Sequence, residues 1–254
     1  PTGELQLSAG FSSIESFILQ ASIQQRNFRG RGQTVGTSVS WSRYSKSAQV
    51  SFTEPYVFDK NVSFGADIYR RDYNNFNFTG TDRRTIYGQT TTGFQLRAGL
   101  PLTEYTSLIG RYTFNIDNVT LDQNQFYTNG ACDPILAGRY LCDAIGKRTT
   151  SSLGLTWVWD TLDNRVHPSR GNVVSVSAEF AGLGGSVKYA RLTGNAAKYF
   201  PLGKGWIFSL SGEGGWIKGL NNGGAVRLTD RFYLGEPQIR GFDIRGVGPR
   251  VIRK

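Results

Sequence analysis

The sequence contains no methionine, a single histidine (His167) and only two cysteines in 254 residues. A structural zinc site normally takes four cysteine or histidine ligands, so no metal site is expected. The chain also lacks any apolar run of about 20 residues, which excludes a transmembrane helix. A transmembrane strand needs only about 9–11 residues with one apolar face, and the mean hydropathy of -0.33 is compatible with strands of that kind.

The two cysteines, Cys132 and Cys142, lie close together in one predicted loop. Since a zinc site is excluded, the pair predicts a disulfide in an oxidising compartment. The sequence begins at Pro1 and carries no signal peptide. We interpret the chain as an internal piece of a longer precursor.

Basic residues outnumber acidic residues by 29 to 19, which gives a formal charge of +10. Such an excess can serve phosphate contacts with nucleic acid. The basic residues are scattered along the chain, however, whereas nucleic-acid-binding proteins gather them on one face or helix. No nucleic-acid partner is therefore expected, and anionic lipid headgroups or a charged barrel interior explain the excess better.

Apolar and polar residues alternate along most of the chain. Leu5, Leu7 and Phe11, for example, alternate with Gln6 and Ser8. A period of two residues predicts strands with one apolar and one polar face. The pattern predicts an all-β fold of about eleven strands and no helix of convincing length, with strands near 4–11, 17–26, 35–41, 48–52, 62–68, 86–100, 112–116, 153–159, 174–180, 187–200 and 206–216.

The strand ends and connections indicate which kind of β protein this is. Aromatic residues cluster at strand ends, as in the interfacial girdles of membrane barrels. Short turns, at 100–103 and 201–205, alternate with long predicted loops, at 73–85 and 121–146. Short turns on one rim and long loops on the other are typical of outer-membrane proteins. The sequence thus favours an antiparallel transmembrane β-barrel over a soluble β-sandwich.

A catalytic site can be sought around the only histidine. Ser169, His167 and Asp163 could be combined into a triad, but they are neighbours in one turn without the strand-to-helix elbow that exposes a nucleophile. Gly182 to Gly185 lacks the strand–helix context of a phosphate loop and is interpreted as a hairpin tip. The sequence predicts no enzyme and no cofactor.

Four motifs, in this order along the chain, resemble those of a known family. Gln25–Gly32 and Thr53–Tyr56 are similar to two of its turns, and a periplasmic turn before the ninth strand is matched by Asp160, Asp163, Pro168 and Gly171. A loop motif of VRGF type, carried on the sixth extracellular loop, is matched by Ile239, Arg240, Gly241 and Phe242. The chain resembles the barrel domain of the BamA family of outer-membrane protein assembly factors, in a superfamily that includes TamA and two-partner-secretion transporters.

The resemblance implies that residues 1–254 are the N-terminal part of a transmembrane β-barrel domain. Such a barrel has sixteen strands and follows periplasmic POTRA domains. We expect the chain to be incomplete, with about eleven of those sixteen strands and part of extracellular loop 6, and to lack the POTRA domains and the last strands. The acidic partners of Arg240 would then lie on strands beyond Lys254.

The resemblance also implies a function, namely folding and insertion of β-barrel proteins into the bacterial outer membrane. The first strand would form a lateral seam that templates client strands; its residues are Glu4, Leu5, Gln6, Leu7, Ser8, Ala9, Gly10 and Phe11. The implied partners are nascent barrel clients, outer-membrane lipid and lipopolysaccharide, periplasmic chaperones and accessory lipoproteins. The alternatives are a two-partner-secretion-type or TamA-like translocation barrel, and a passive porin.

Overall fold

The computed structural model describes residues 2–12, 15–79, 82–221, 226, 230–234, 239–241 and 247–248. Eleven strands form one antiparallel sheet in which each strand pairs with the next along the chain. They are β1 (Gly3–Ser12), β2 (Ser16–Phe28), β3 (Gln33–Ser42), β4 (Ser45–Glu54), β5 (Ser63–Thr79), β6 (Asp82–Pro101), β7 (Thr106–Thr120), β10 (Gly146–Asp160), β11 (Gly171–Ala181), β12 (Tyr189–Gly203) and β13 (Trp206–Gly219). The predicted all-β fold and its eleven strands are confirmed.

The smaller elements lie in two connections. Between β7 and β10 the chain forms α1 (Gln123–Phe126), a hairpin of β8 (Tyr127–Thr128) and β9 (Ala131–Cys132), and α2 (Arg139–Ala144). A 3-10 turn, Val57–Asp59, joins β4 to β5. Within the described part of the chain, no helix has the length and apolar content needed to cross a membrane.

The outer face of the sheet is apolar and exposed. Cross-strand pairing places Val50 beside Ile68, Ile68 beside Phe94 and Phe94 beside Phe114, so one apolar row continues across four strands. Ile68 is 66% exposed and Leu7 on β1 is 73% exposed. A soluble monomer rarely exposes so extended an apolar surface. The outer face therefore has the character of a lipid-facing barrel wall.

The inner face is polar, and its side chains bond to one another across strands. Asp67 forms an ion pair with Arg97 at 2.9 Å, and the Tyr69 hydroxyl donates to the Asn115 Oδ1 at 2.5 Å. The Tyr69 side chain can reach Asn115, two strands away, because Gly93 on the intervening strand has no side chain. A Cβ at Gly93 would overlap the Phe114 carbonyl oxygen. The inner face is thus a cross-linked polar surface.

The two ends of the sheet differ. The connections from β2 to β3, β4 to β5, β6 to β7, β10 to β11 and β12 to β13 lie at one end, called the turn end below. The opposite end, called the loop end, carries the connections 121–145 and 182–188 and the residues that follow β13. The predicted long connection near 121–146 is confirmed.

The predicted long excursion at 73–85 is wrong. Strand β5 continues to Thr79 and β6 starts at Asp82, so these residues form the top of a tall hairpin. The ladder continues through one irregularity between Asn75 and Phe76. In the sequence, Asn74, Asn75 and Asn77 interrupt the alternation of apolar and polar residues that marks a strand, although the backbone pairing persists.

Candidate functional site

The described residues of the chain beyond β13 include a segment that lies on the inner face of the sheet. This docked segment, residues 230–234, contacts β10, β12 and β13 through Asp230 and Phe232. It brings a carboxylate and an aromatic ring to a polar wall. Its contacts determine how the loop that follows β13 is held.

Arg148 is the main attachment point. Its side chain is 4% exposed, and its two terminal nitrogens donate to the two carboxylate oxygens of Asp230 at 2.9 and 3.0 Å. On its other side the Nε lies 3.6 Å from an Asp117 oxygen. A bidentate arginine–carboxylate pair is directional and strong. Because Asp117 is buried and Asp230 is only 13% exposed, each depends on the arginine for compensation of its charge.

Asp117 is held in place by its neighbours on the sheet. Its Oδ1 accepts hydrogen bonds from the Thr91 hydroxyl at 2.6 Å and from the Gln89 amide at 3.3 Å. The amide oxygen of Gln89 accepts in turn from the Tyr73 hydroxyl at 2.7 Å. This chain of hydrogen bonds runs from β5 through β6 to β7, so the wall presents Arg148 in one orientation.

Arg191 on β12 forms the second attachment. Its Nη2 donates to the Asp230 backbone oxygen at 3.2 Å, and its guanidinium carbon lies 5.8 Å from the centre of the Phe232 ring. The same group lies 4.9 Å from the Tyr189 ring, whose hydroxyl donates to Glu179 at 2.6 Å. Arg191 therefore contacts both ends of the Asp230–Phe232 stretch.

The docked segment also packs against glycine. A Cβ at Gly215 on β13 would lie 2.7 Å from the Phe232 ring, so the aromatic ring needs the missing side chain. Two backbone hydrogen bonds of 2.8 Å then join Leu234 to Val247. A cavity of about 670 Å³, lined by Phe232, Leu234 and Ile239 among others, separates this part of the loop from the wall. The arrangement holds the described residues of this loop against the inner face of the sheet.

The loop motif is only partly described. Ile239 lines the cavity, Gly241 has a φ of 86°, and Arg240 is exposed without an ion pair to any described residue. Phe242 lies outside the described residues. The role of the motif stays a prediction, and within the described residues the loop is held by Asp230 and Phe232.

The predicted seam residues, Glu4 to Phe11, all lie within β1, which is the first strand of the sheet. Every residue of β1 pairs with β2, and no described strand pairs with its other edge. The two glycines of β1, Gly3 and Gly10, both lie within this ladder. The side-chain links to β2 are exposed, for example Glu4 to Arg26 at 3.2 Å, and such pairs stabilise little.

The predicted turn motif joins β10 to β11 at the turn end. Asp163 accepts hydrogen bonds from the Ser169 hydroxyl and from the backbone N–H groups of Arg170 and Ser169. These bonds hold the pKa of Asp163 far below its usual value. Because the pKa is lower in the folded than in the unfolded chain, this support is complete above the usual aspartate pKa of about 4 and is lost progressively as the pH falls below it.

The other members of the turn motif have structural positions too. Asp160 accepts from the Leu162 N–H at 3.0 Å and from the Arg165 Nε at 2.9 Å, and Gly171 has a φ of 114°. Pro168 is half-buried beside them. The hydrogen bond from the Ser169 hydroxyl to Asp163 holds the turn in its shape. Among the described residues, no group of three or more histidine, cysteine, aspartate or glutamate residues could hold a metal ion.

Residues 121–145, which connect β7 to β10, form a small cap over the loop end; they are called the cap below. A disulfide joins Cys132 to Cys142, as predicted. The cap packs on the wall through a buried apolar cluster of Tyr87, Val119, Leu121 and Ala137. Val119 is 1% exposed and lies on the same face of β7 as Asp117, two residues nearer the loop end. The cap thus covers the wall directly above the Arg148 attachment.

Removing the disulfide should loosen the cap without unfolding the sheet. In the Cys132→Ser, Cys142→Ser double variant, we expect a loss of about 2–3 kcal/mol of local stability, because the closed ring is short. Hydrogen exchange should then quicken in residues 121–145 and stay unchanged in β2 to β4. The reduced wild-type protein serves as the control and should match the variant. Unchanged exchange in the cap would show that its apolar cluster suffices.

The sequence reasoning missed the Arg148 attachment. Asp117 could be assigned to a polar strand face from the alternation, but its partner depends on the register between β7 and β10. Asp230 is 82 residues from Arg148 along the chain. The sequence contains one indication of this attachment. Arg148 is a charged residue near the start of a membrane strand, and such a residue is expected to face the interior.

Comparisons with known proteins agree with this architecture. A family model described as the Omp85 superfamily domain matches residues 27–254. The assembly factor BamA of Neisseria meningitidis serogroup B is 28% identical over 98% of this chain and 31% of its own length. A SAM50-like protein of Drosophila melanogaster is 27% identical over 89% of this chain and 48% of its own. The chain spans about a third of the length of each of three bacterial BamA relatives that it matches.

Two solved structures share the fold. The crystal structure of BamA from Haemophilus ducreyi lacking POTRA domains 1–3 superposes with a TM-score of 0.79 at 23% sequence identity, over 98% of this chain and 47% of that chain. CdiB from Acinetobacter baumannii superposes with a TM-score of 0.54 at 14% identity, over 96% of this chain and 43% of that chain. Both structures resemble this chain in fold, that is, in the path that the strands follow through the sheet.

Proposed function

Because the chain belongs to the Omp85 superfamily and its strands lie in the bacterial outer membrane, we propose that this protein folds β-barrel clients and inserts them into that membrane. Strand β1 receives the client strand by backbone pairing. The relatives named as BamA are assembly factors for outer-membrane proteins, and they match almost the whole of this chain. The clients are nascent barrel proteins, and no cofactor takes part.

The observation that carries the proposal is the position of β1 at one end of the described sheet. The strand has ten residues, nine of them exposed, and among the described strands it bonds only to β2. An unpaired edge offers a row of N–H and C=O groups to an incoming strand. Within a membrane such groups need a partner, because lipid supplies none. A client strand is a suitable partner, and its side chains matter less than its backbone.

Strand β1 is also lightly held. Both faces of the strand are exposed, since Gln6 and Ser8 are exposed as well as Leu5 and Leu7, so little side-chain packing reinforces the ladder to β2. Regions with few buried contacts open more readily than the rest of a fold. The wall at β10 to β12, by contrast, is tied to the docked segment through Arg148 and Arg191. A rigid side and a loose first strand suit a barrel that exchanges strand partners at one place.

A photocrosslinking residue in place of Leu7 should capture a client strand. The full-length protein is reconstituted in lipid vesicles and supplied with an unfolded outer-membrane porin. We expect adducts between position 7 and the terminal strand of the porin. The matched control is the same residue at Val39, which lies on the same outer face but on β3, a strand paired on both edges. Equal yields at both positions, or none at either, would refute the role of β1.

A transporter that serves one dedicated partner is the second candidate. It is favoured by the likeness in fold to CdiB, which covers nearly all of this chain. The two functions differ in what is lost when the protein is depleted. An assembly factor's depletion lowers the amounts of many outer-membrane porins, whereas a dedicated transporter's depletion removes a single exported protein. The outer-membrane proteome of a depletion strain therefore separates them.

A further inference from the structure

Two adjacent turns at the turn end form a patch of cations and aromatic rings beside the first strands. The patch is made of Phe28, Arg29, Arg31, Tyr56, Phe58 and Lys60, from the β2–β3 and β4–β5 connections. All six side chains are exposed, Phe58 at 91% and Tyr56 at 60%. We propose that this patch binds the headgroups of anionic phospholipids. The proposal concerns lipid contact and does not rest on the assembly function.

The backbone of both turns is shaped to present these side chains. Arg29 has a φ of 55° and Phe58 a φ of 52°, in a region that residues other than glycine rarely adopt. Asn27, at a φ of 59°, supports the first turn by accepting a hydrogen bond from the Gly32 N–H at 2.7 Å. A Cβ on Gly32 would lie 3.9 Å from the Pro55 ring, so the two turns pack side by side. They form one surface.

The cations of the patch have no carboxylate partner. Neither Arg29, Arg31 nor Lys60 forms an ion pair with a described residue, whereas Arg26 nearby is paired with Glu4. The Arg29 guanidinium stacks 5.4 Å from the Phe28 ring, which leaves its N–H groups free to donate outward. Guanidinium groups bind phosphate oxygens through paired hydrogen bonds. Two acidic residues lie beside the three cations, Asp59 and Glu54, whose Oε1 accepts from the Tyr56 N–H at 3.1 Å, so the excess is one positive charge.

The location of the patch selects lipid as the partner. The outer apolar face continues to the turn through Phe52 on β4 and Phe64 on β5, which flank the connection that carries Tyr56 and Phe58. Aromatic rings in this position lie at the level of lipid headgroups. In bacterial outer-membrane barrels the short turns face the periplasm, where the leaflet is phospholipid. Lys and Arg side chains next to anionic headgroups are attracted to them.

Lipid selectivity measured by electron spin resonance tests the proposal. The full-length protein is reconstituted in phosphatidylcholine vesicles that contain a trace of spin-labelled phosphatidylglycerol or of spin-labelled phosphatidylcholine. The wild-type protein should immobilise the phosphatidylglycerol label preferentially, by roughly fivefold per cation in low salt. The preference should fall as ionic strength rises, because salt screens exposed charges.

The Arg29→Gln, Arg31→Gln, Lys60→Gln variant should lose most of that preference. The matched control for the two arginines replaces two exposed cations elsewhere at the turn end, Arg170→Gln and Lys204→Gln. It is compared with the Arg29→Gln, Arg31→Gln double variant and should keep the preference. The replaced side chains are all exposed, so all three variants should fold. Equal losses in the two double variants would show a diffuse charge effect and overturn the site. A wild-type protein without preference, as expected if another protein segment covers the patch, would overturn it as well.

Discussion

Replacing Arg148 by alanine is expected to lower the free energy of unfolding by about 3–5 kcal/mol and to release the docked segment. The substitution leaves the buried Asp117 and the largely covered Asp230 with uncompensated charges. The sheet can relax at Asp117, since Thr91 and Gln89 still donate to it, whereas Asp230 keeps only its backbone link to Arg191. Urea denaturation in lipid vesicles measures the loss of stability. Hydrogen exchange at residues 230–234 measures release.

The matched control for this prediction is Arg97→Ala. Arg97 also faces the interior and pairs with a buried aspartate, Asp67, at 2.9 Å, but its side chain is 44% exposed. Because the Arg97 side chain is itself half-exposed, water can fill the space it leaves and reach Asp67, which also keeps a hydrogen bond from the Gln49 amide. The loss should therefore be smaller. In Arg148→Lys the charge is kept and the bidentate geometry is lost, and an intermediate effect is expected. Similar small losses for Arg148→Ala and Arg97→Ala would show that the docked segment is held by other contacts.

Replacing Gly171 by alanine is expected to cost about 3 kcal/mol or more and to disturb the start of β11. Gly171 has a φ of 114°, which an alanine adopts only with strain. A Cβ there would also lie 2.8 Å from the Thr161 carbonyl carbon, which belongs to backbone that cannot move freely. Thr161 and Asn172 are joined by hydrogen bonds of 2.8 and 3.0 Å beside this point. Urea denaturation again measures the cost.

Two further glycine variants distinguish the cost of backbone strain from the cost of an overlap between the new Cβ and its neighbours. Gly184 has a φ of 91° but open space where a Cβ would be, so Gly184→Ala should show only the backbone cost of about 1–2 kcal/mol. Gly212 lies in β13 with neither constraint, and Gly212→Ala should be close to neutral. If Gly171→Ala and Gly184→Ala cost the same, the close approach to Thr161 contributes nothing.

Much of the sheet could be predicted from the sequence because its outer face is apolar throughout the membrane. Leu153, Leu155 and Trp157 alternate with glycine and threonine, and all three lie on the outer face of β10 as the alternation requires. The same rule fails where a strand leaves the membrane, since lipid no longer demands an apolar face. The upper part of the β5–β6 hairpin was for this reason predicted to be a loop.

The candidate site was less predictable. A motif around Arg240 could be found by resemblance, and a disulfide could be predicted from two cysteines in one loop. The attachment of Asp230 to Arg148 could not be found in either way, because it joins a strand to a distant loop whose course depends on many contacts. Helices α1 and α2 have four and six residues, too few to show a helical period.

The wall of the sheet differs in height along its width. Strands β1, β3 and β4 have ten residues and β2 has thirteen, close to the minimum that crosses a bilayer, whereas β5 and β6 have 17 and 20. The cap stands on the tall side, and only short connections rise above β1 to β4. On the proposed function, a client growing from β1 therefore has steric clearance at the loop end. Its own surface loops can emerge beside the low wall without meeting the cap.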